Sequence, residues 1–339
     1  MVFKRLLGAL GVGGPTVDTV LDPASVRPGG TLTGQVHLTG GKADFEIEHI
    51  TLELVARVEA EHEGGESEGV VAFDRFTVGG GFRLAEGERR SVPFSVIVPW
   101  ETPVTELRGQ SLGVVLGVRT ELSVAGAKDK GDLDRLNVAP LPAQEAVLEA
   151  LGGLGFGFRS ADLEYGRIGG TGQRLPFHQE IELVPSPRYA RQVDEIELTF
   201  LANPGDMEVV LEADKRGGFL SSGGDALTRF TVSHDGVERQ DWPSTVDGWM
   251  RQLVEHRASY GSPAGYGSPM GHASPAPFGP GGHGQEGQHH DGRRSGPGMG
   301  TAVAAGAAGL AVGVVGGMVA GEVVDEVGDF FEGEEEEEG

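Results

Sequence analysis

Apolar and polar side chains alternate in several stretches between residues 15 and 140. A period of two places successive side chains on opposite faces of a strand, so each stretch predicts a strand with one face in a core and the other in water. The clearest stretch is 50–59, and two others are 92–98 and 112–124. In the clearest stretch, the core-facing positions are Ile50, Leu52, Leu54, Ala56 and Val58, and the water-facing positions are Thr51, Glu53, Arg57 and Glu59.

Clusters of glycine and proline interrupt these stretches, as expected at turns between strands. They occur at 28–30, 40–41 and 79–81. Many short strands with regular turns and almost no helical period indicate an antiparallel sandwich. The sequence therefore predicts a first β-sandwich over residues 15–140.

Alternation resumes after residue 154 and predicts a second, smaller β-sandwich over 154–240. The positions in phase with its core are Phe177, Gln179, Ile181, Leu183, Ile196, Leu198, Phe200, Val209, Leu211, Ala213, Phe230 and Val232. The predicted fold class is thus mainly β, a tandem of two antiparallel β-sandwiches.

Two helices are predicted beside the second sandwich. Pro142, followed by good helix formers and ended by Gly152, predicts a connector helix over 141–153. Four apolar residues at i, i+4, i+7 and i+11 predict an amphipathic C-terminal helix over 241–257, packed back on the domain as a core element. These residues are Trp242, Val246, Trp249 and Leu253.

Composition changes sharply after the second helix. Residues 258–300 are rich in glycine, proline, serine and histidine and poor in aliphatic side chains, which predicts a disordered linker. Residues 301–324 are almost uncharged, with glycines at every fourth position on one helix face, which predicts a glycine-zipper segment. An acidic tail, 325–339, follows. The zipper glycines that we identify as interaction candidates are Gly309, Gly313, Gly317 and Gly321.

The zipper segment allows three interpretations. Its uncharged stretch of about 21 residues is long enough to span a bilayer, although alanine and glycine supply little insertion free energy. A glycine groove lets another backbone approach closely, so the segment can instead self-associate or dock on a protein. The third interpretation is a flexible tail. The acidic residues that follow oppose crossing of a bilayer, which favours self-association or docking over insertion.

Charge and cysteine content narrow the classes of partner. The formal net charge is −24 without a local basic patch, which argues against a nucleic-acid partner. The sequence contains no cysteine, which excludes disulfides and thiol nucleophiles and fits a reducing cytoplasm. The amphipathic N-terminal segment 1–14 lacks the cleavage site of a signal peptide. We therefore expect a cytoplasmic protein, with peripheral membrane contact through the tail left open.

The sequence carries no motif for catalysis or nucleotide binding, so no catalytic residue, cofactor or metal site is predicted. Carboxylates at Asp129, Asp132 and Asp134 lack EF-hand spacing and are interpreted as a polar turn between domains. Clustered histidines in the linker lack fixed geometry for a metal. Five histidines scattered singly through the predicted strands and turns are expected to be ordinary surface or edge residues, namely His37, His49, His62, His178 and His234.

Eight short blocks resemble a known family. They are 17–21 (VDTVL), 34–38 (GQVHL), 99–103 (PWETP), 117–122 (GVRTEL), 130–134 (KGDLD), 142–146 (PAQEA), 175–181 (LPFHQEI) and 212–218 (EADKRGG). In these blocks the sequence resembles the sporulation-control protein family of the stage-zero M type, over residues 1 to about 255. The resemblance implies an arrestin-like fold of two linked β-sandwiches, no known enzymatic activity, and an intracellular regulatory or scaffolding role.

The predicted function is a non-enzymatic regulatory adaptor or scaffold in the control of bacterial sporulation or cell development. It would act by protein–protein interaction with partners that the sequence does not identify. The alternative is a membrane-associated assembly protein whose glycine-zipper tail self-associates or inserts.

Overall fold

The computed structural model describes residues 13–261, apart from 24, 63–64, 128 and 214–225. The zipper segment and the acidic tail lie outside the described residues, and the N-terminal segment and the linker lie almost wholly outside them. The predictions for Gly309, Gly313, Gly317 and Gly321 therefore stay predictions.

The first half of the structure, residues 13–140, contains nine strands among its described residues. In the larger sheet β3, β8 and β9 lie side by side with β4 on the other edge of β3, whereas β1, β2 and β5 form a three-stranded sheet. The two short strands β6 and β7 form a hairpin. The strands are β1 Thr16–Asp22, β2 Thr31–Thr39, β3 Phe45–His62, β4 Gly65–Leu84, β5 Arg89–Ile97, β6 Glu106–Leu107, β7 Gln110–Ser111, β8 Leu116–Val124 and β9 Lys130–Arg135.

The first core lies between these two sheets, as the alternation predicts. Apolar side chains of β2 and β5 meet those of β3 and β8 there. All five positions of β3 that were predicted to face this core are fully buried, namely Ile50, Leu52, Leu54, Ala56 and Val58.

The prediction that the opposite face of β3 lies in water is wrong for Thr51 and Glu53, which are both buried. The strand is paired along its length with β4 and β8, and arginines of those neighbours close over Glu53. Arg119 donates to Glu53 over 2.9 Å, and Arg75 lies 3.3 Å from the same carboxylate. Ion pairing and hydrogen bonding allow a carboxylate to be buried that would otherwise need water.

The prediction of a turn at 79–81 is also wrong, because these glycines lie inside β4. Gly80 has φ +132°, and a side chain there would collide with the Glu48 carbonyl oxygen. The register of β3 and β4 shifts next to this point. Glycine therefore makes a bulge in a continuing strand rather than a turn between two strands.

The predicted polar turn at Asp129–Asp134 is wrong for most of its length. Asp129 does lie in the turn after β8, where it accepts a hydrogen bond from the Val124 N–H over 3.0 Å. Asp132 and Asp134 lie in β9, which pairs antiparallel with β8. An edge strand with polar residues on both faces lacks the hydrophobic alternation by which strands are recognised.

The second half, residues 141–261, contains one run of antiparallel strands and two helices among its described residues. The strand order is β14-β13-β12-β11-β10, and β10 continues the sheet onto β3 of the first half. The elements are α1 Pro142–Gly153, β10 Gly157–Tyr165, β11 Phe177–Val184, β12 Ile196–Ala202, β13 Asp206–Ala213, β14 Ala226–Ser233, a short 3-10 turn Val237–Arg239, and α2 Trp242–Gly261.

Both helices contribute to the second core. Val147 and Leu151 of α1 and Val246 and Leu253 of α2 pack with the inner face of β11, β12 and β13. In the described residues, the layer opposite this sheet is thus helical, and α1 belongs to the second core. The fold is mainly β in two halves, as predicted, and the C-terminal helix packs back on its domain.

The start of α2 follows from a local capping pattern. The Ser244 N–H and hydroxyl donate to the Asp241 carboxylate over 3.2 Å and 2.7 Å, which satisfies an amide left over at the helix N-terminus. These hydrogen bonds lower the pKa of Asp241. Neither helix of the described residues is long and apolar enough to cross a membrane.

Candidate functional site

Besides the β3–β10 strand pairing, side-chain contacts between the two halves involve residues 99–108, the segment that follows β5. We call this segment and its partners in the second half the junction. It contains the block 99–103, and its partners include the block 175–181, so two of the sequence blocks that carry the family resemblance meet here.

Glu101 ties the segment to the chain just before β11. Its carboxylate accepts hydrogen bonds from the Arg174 N–H at 2.9 Å and 2.7 Å and from the Leu175 N–H at 2.8 Å. Hydrogen bonds in which the acceptor is ionised are stronger than neutral ones. A carboxylate from one half thus satisfies two backbone amides of the other.

Gln179 makes the most buried polar contact of the junction. Its side-chain oxygen accepts from the Val104 N–H over 2.9 Å, and its side-chain nitrogen donates to the Val104 carbonyl over 2.8 Å. Both residues are buried. Buried backbone groups need partners, so this one amide satisfies a residue that lies outside any strand ladder.

Trp100 extends the junction toward β14. Its ring stacks on His234, with ring centroids 5.2 Å apart, packs against the second core and also lies against Gly29 of the first half. Gly29 has φ +70°, and any side chain there would occupy the space of the indole. The tryptophan therefore lies between a turn of the first half and a histidine of the second.

The β6–β7 hairpin adds a charged contact with α1. Arg108 at its tip has φ +53°, an unusual conformation for a residue with a side chain. Its guanidinium forms ion pairs with Glu145, over 3.6 Å, and with Glu149. Because Arg108 is largely exposed, this contact orients the hairpin more than it stabilises the fold.

Phe177 at the start of β11 enters the first core, so the prediction that it lies in phase with the second core is wrong. It lies edge-on to Phe73 of β4, with centroids 5.5 Å apart, and is almost fully buried. Next to it in the sequence, His178 is also buried, with Nε2 2.9 Å from Glu180 Oε1. The prediction that His178 is an ordinary surface residue is therefore wrong, because its strand lies where the halves meet.

A second polar cluster lies at the edge of the first sandwich, where β1 contacts β9. The Thr19 N–H donates to Asp132 over 2.6 Å, and the hydroxyls of Thr19 and Thr120 lie 2.7 Å apart. Burial, together with the neighbouring Asp132 carboxylate, raises the pKa of Asp134 to about 7. These residues belong to the blocks 17–21, 117–122 and 130–134.

Replacing Asp134 with asparagine should stabilise the protein above neutral pH. A carboxyl whose pKa is raised in the folded state makes the protein less stable as pH rises from about 4 to about 7. Asparagine does not ionise, so the variant avoids this loss of stability. Because Asp134 is only half-buried, we expect a gain of only about 1–2 kcal/mol at pH 8 and almost none at pH 4. Urea unfolding at both pH values measures it.

Asp241 provides a control of opposite sign. Its pKa is lowered, so its contribution is present at neutral pH and is lost as pH falls. The substitution Asp241→Asn should therefore reduce stability at pH 8, the reverse of Asp134→Asn. Equal curves for wild type and Asp134→Asn at pH 8 would contradict the burial of this carboxyl.

The described residues contain no group of three or more histidine, aspartate or glutamate side chains arranged to hold a metal ion. Asp132 and Asp134 are neighbours, but together with Asp129 they do not form such a group. What the site can do is bind one half to the other through backbone amides, a buried side-chain amide and an aromatic stack. Sequence reasoning named Gln179 only as a strand position and missed its contact with Val104. It also missed Glu101 and the Trp100–His234 pair, although the blocks 99–103 and 175–181 were a signal of these contacts.

Comparison with known proteins adds a family. Residues 3–217 match the family Spo0M, described as SpoOM protein. Over 244 residues the chain is 36% identical to the sporulation-control protein spo0M of Bacillus subtilis (strain 168), which covers 70% of this chain and 92% of that protein. The fold is similar to the crystal structure of Spo0M from Bacillus subtilis, with a TM-score of 0.64 and 32% identity over 71% of this chain and 100% of that one.

Proposed function

Because this chain belongs to the Spo0M family of sporulation-control proteins, we propose that it acts in the control of sporulation as a non-enzymatic adaptor that binds other proteins. It would work in the cytoplasm, in keeping with a sequence that lacks cysteine. The two halves would act as one rigid platform, and the partner would bind to surfaces that the junction holds in a fixed relation.

The adaptor proposal rests on where the side chains of the family blocks make their contacts. Glu101 and Gln179 direct their side chains to backbone groups of the opposite half, and Trp100 stacks across the same boundary. Side chains that reacted with a substrate would instead converge on a common cleft. Geometry of this kind supports a function in recognition, which depends on how surfaces are placed.

A complementation experiment tests the sporulation function. The chain is expressed in Bacillus subtilis from which spo0M has been deleted, and heat-resistant spores are counted. We expect the count to move toward that of the undeleted strain, and the deleted strain supplied with the Bacillus subtilis protein serves as the positive control. A count equal to the empty-vector strain, with the chain present at normal levels, would contradict the proposal.

The alternative, a membrane-associated assembly protein, rests on the four-residue spacing of the tail glycines. Replacing Gly313 and Gly317 with leucine separates the two functions, because leucine fills a glycine groove and also raises hydrophobicity. Loss of self-association in sedimentation experiments would support a groove. Increased recovery with membranes would support insertion, and no change in either would leave the tail without a part in the function.

A further inference from the structure

The sheet passes from the first half to the second between β3 and β10, and like charges face each other at this point. Glu59 of β3 is opposite Glu164 of β10 in the parallel pairing, and on its other side Glu59 is opposite Glu68 of β4. Nearby, Asp162 of β10 is opposite Glu180 of β11. Like charges directly opposite on neighbouring strands destabilise the pairing.

Two of these carboxyls are also withdrawn from water. The Glu180 side chain is 13% exposed, and Asp162 has a buried oxygen, Oδ1, that lacks a hydrogen-bond partner among the described residues. Burial, together with the charges of Glu180, Glu59, Glu164 and Glu182, raises the pKa of Asp162 to about 8. We call Glu59, Glu68, Asp162, Glu164 and Glu180 the row. When Asp162 is protonated, the row carries one negative charge fewer.

Two arginines and a histidine lie beside the row. Arg159 of β10 lies 3.9 Å from Glu182 and pairs with Glu195, and Arg57 precedes Glu59 by two residues on β3. His178 lies beside Glu180. The charged and titratable groups around Asp162 are thus Arg57 and Glu59 on β3, Glu68 on β4, Arg159 and Glu164 on β10, and His178, Glu180 and Glu182 on β11.

We propose that this row makes the pairing of the two halves sensitive to pH: neutral Asp162 allows β10 to stay against β3, and its ionisation loosens that pairing. The proposal goes beyond the adaptor function and does not depend on it. The sign follows from linkage, because an acid that holds its proton more tightly in the folded state loses stability as pH rises. The loosening is therefore expected to develop as pH rises from about 4, the ordinary pKa of an aspartate, to about 8, the pKa of Asp162, and to be local to β3 and β10.

Hydrogen exchange of the full chain at pH 6.5 and pH 9, corrected for the intrinsic exchange rate, tests this. In wild type, protection of peptides that cover 55–60 and 157–165 should fall about tenfold or more between the two values. In Asp162→Asn the fall should be absent, because asparagine stays neutral. Asp134→Asn is the matched control, since it removes a different raised carboxyl and should leave the fall at the β3–β10 pairing intact.

Two results would overturn the proposal. One is wild-type protection at β3 and β10 that is the same at both pH values, a result that depends on no variant. The other is an unchanged fall in Asp162→Asn or, if that variant does not fold, in Asp162→Ser. Neither result bears on the spore counts, so failure here is distinct from failure of the proposed function.

Discussion

Leu54→Asp is expected to abolish the folded state. Leu54 is fully buried in the first core, on the central strand β3. The change removes the packing of a leucine, about 2–5 kcal/mol, and also forces a carboxyl into a core without a partner. The sum is comparable to the whole stability of an average domain. The expected result is loss of the cooperative thermal transition, measured by circular dichroism.

Ile97→Asp is the matched control for this change. It places the same carboxylate on a strand of the same half, but Ile97 is 56% exposed. We expect a cost below about 1 kcal/mol. A Leu54→Asp protein that melts at the wild-type temperature would show that β3 does not present this face to the core.

Gln179→Leu is expected to destabilise the protein by about 2–6 kcal/mol and to loosen the junction. Leucine keeps the volume of the side chain but leaves the Val104 N–H and carbonyl unpaired in a buried position, each at a cost of about 1–3 kcal/mol. Urea unfolding measures the loss of stability. Hydrogen exchange locates the loss of stability, and we expect faster exchange in the peptide 98–107.

Gln144→Leu controls for the loss of a buried glutamine as such. Gln144 is buried too, and its side-chain oxygen accepts from the Leu141 N–H over 2.8 Å, within the second half. We expect a cost of about 1–2 kcal/mol with exchange in 98–107 unchanged. If both variants raised exchange equally in that peptide, Gln179 would have no specific function at the junction.

The first core could be predicted because the alternation of apolar and polar residues is visible within a few neighbouring positions. Each of Ile50, Leu52 and Leu54 is recognised from its neighbours two residues away, and burial of this face needs only a covering sheet. Burial of Glu53 could not be predicted in this way, because it depends on Arg75 and Arg119, which come from β4 and β8. The same alternation that places Leu54 inside places Glu53 outside unless those partners are known.

Glycine and charge misled the prediction where they occur inside strands. Gly80 makes a bulge in β4, and Asp132 and Asp134 lie in an edge strand in which Leu133 is the single apolar residue. A single sequence shows glycine and charge but not the neighbouring strand that gives them a partner. In a single sequence, a turn, a bulged strand and a polar strand therefore show similar patterns of glycine and charge.

The junction was beyond the reach of local pattern for a different reason. Gln179 and Val104 are 75 residues apart, and Glu101 and Arg174 are 73 residues apart. Nothing in the residues around Val104 indicates that its backbone needs a partner from another half of the chain. The family blocks marked both sides without showing that they meet.

The most direct test of the account is the spore count of the spo0M-deleted Bacillus subtilis strain when it carries wild type, Gln179→Leu or Gln144→Leu, each present at the same level. We expect wild type and Gln144→Leu to shift the count toward that of the undeleted strain and Gln179→Leu to leave it unshifted, because control of sporulation needs the two halves joined. Equal counts for Gln179→Leu and wild type, with the junction peptide 98–107 shown to exchange faster in the variant, would contradict it.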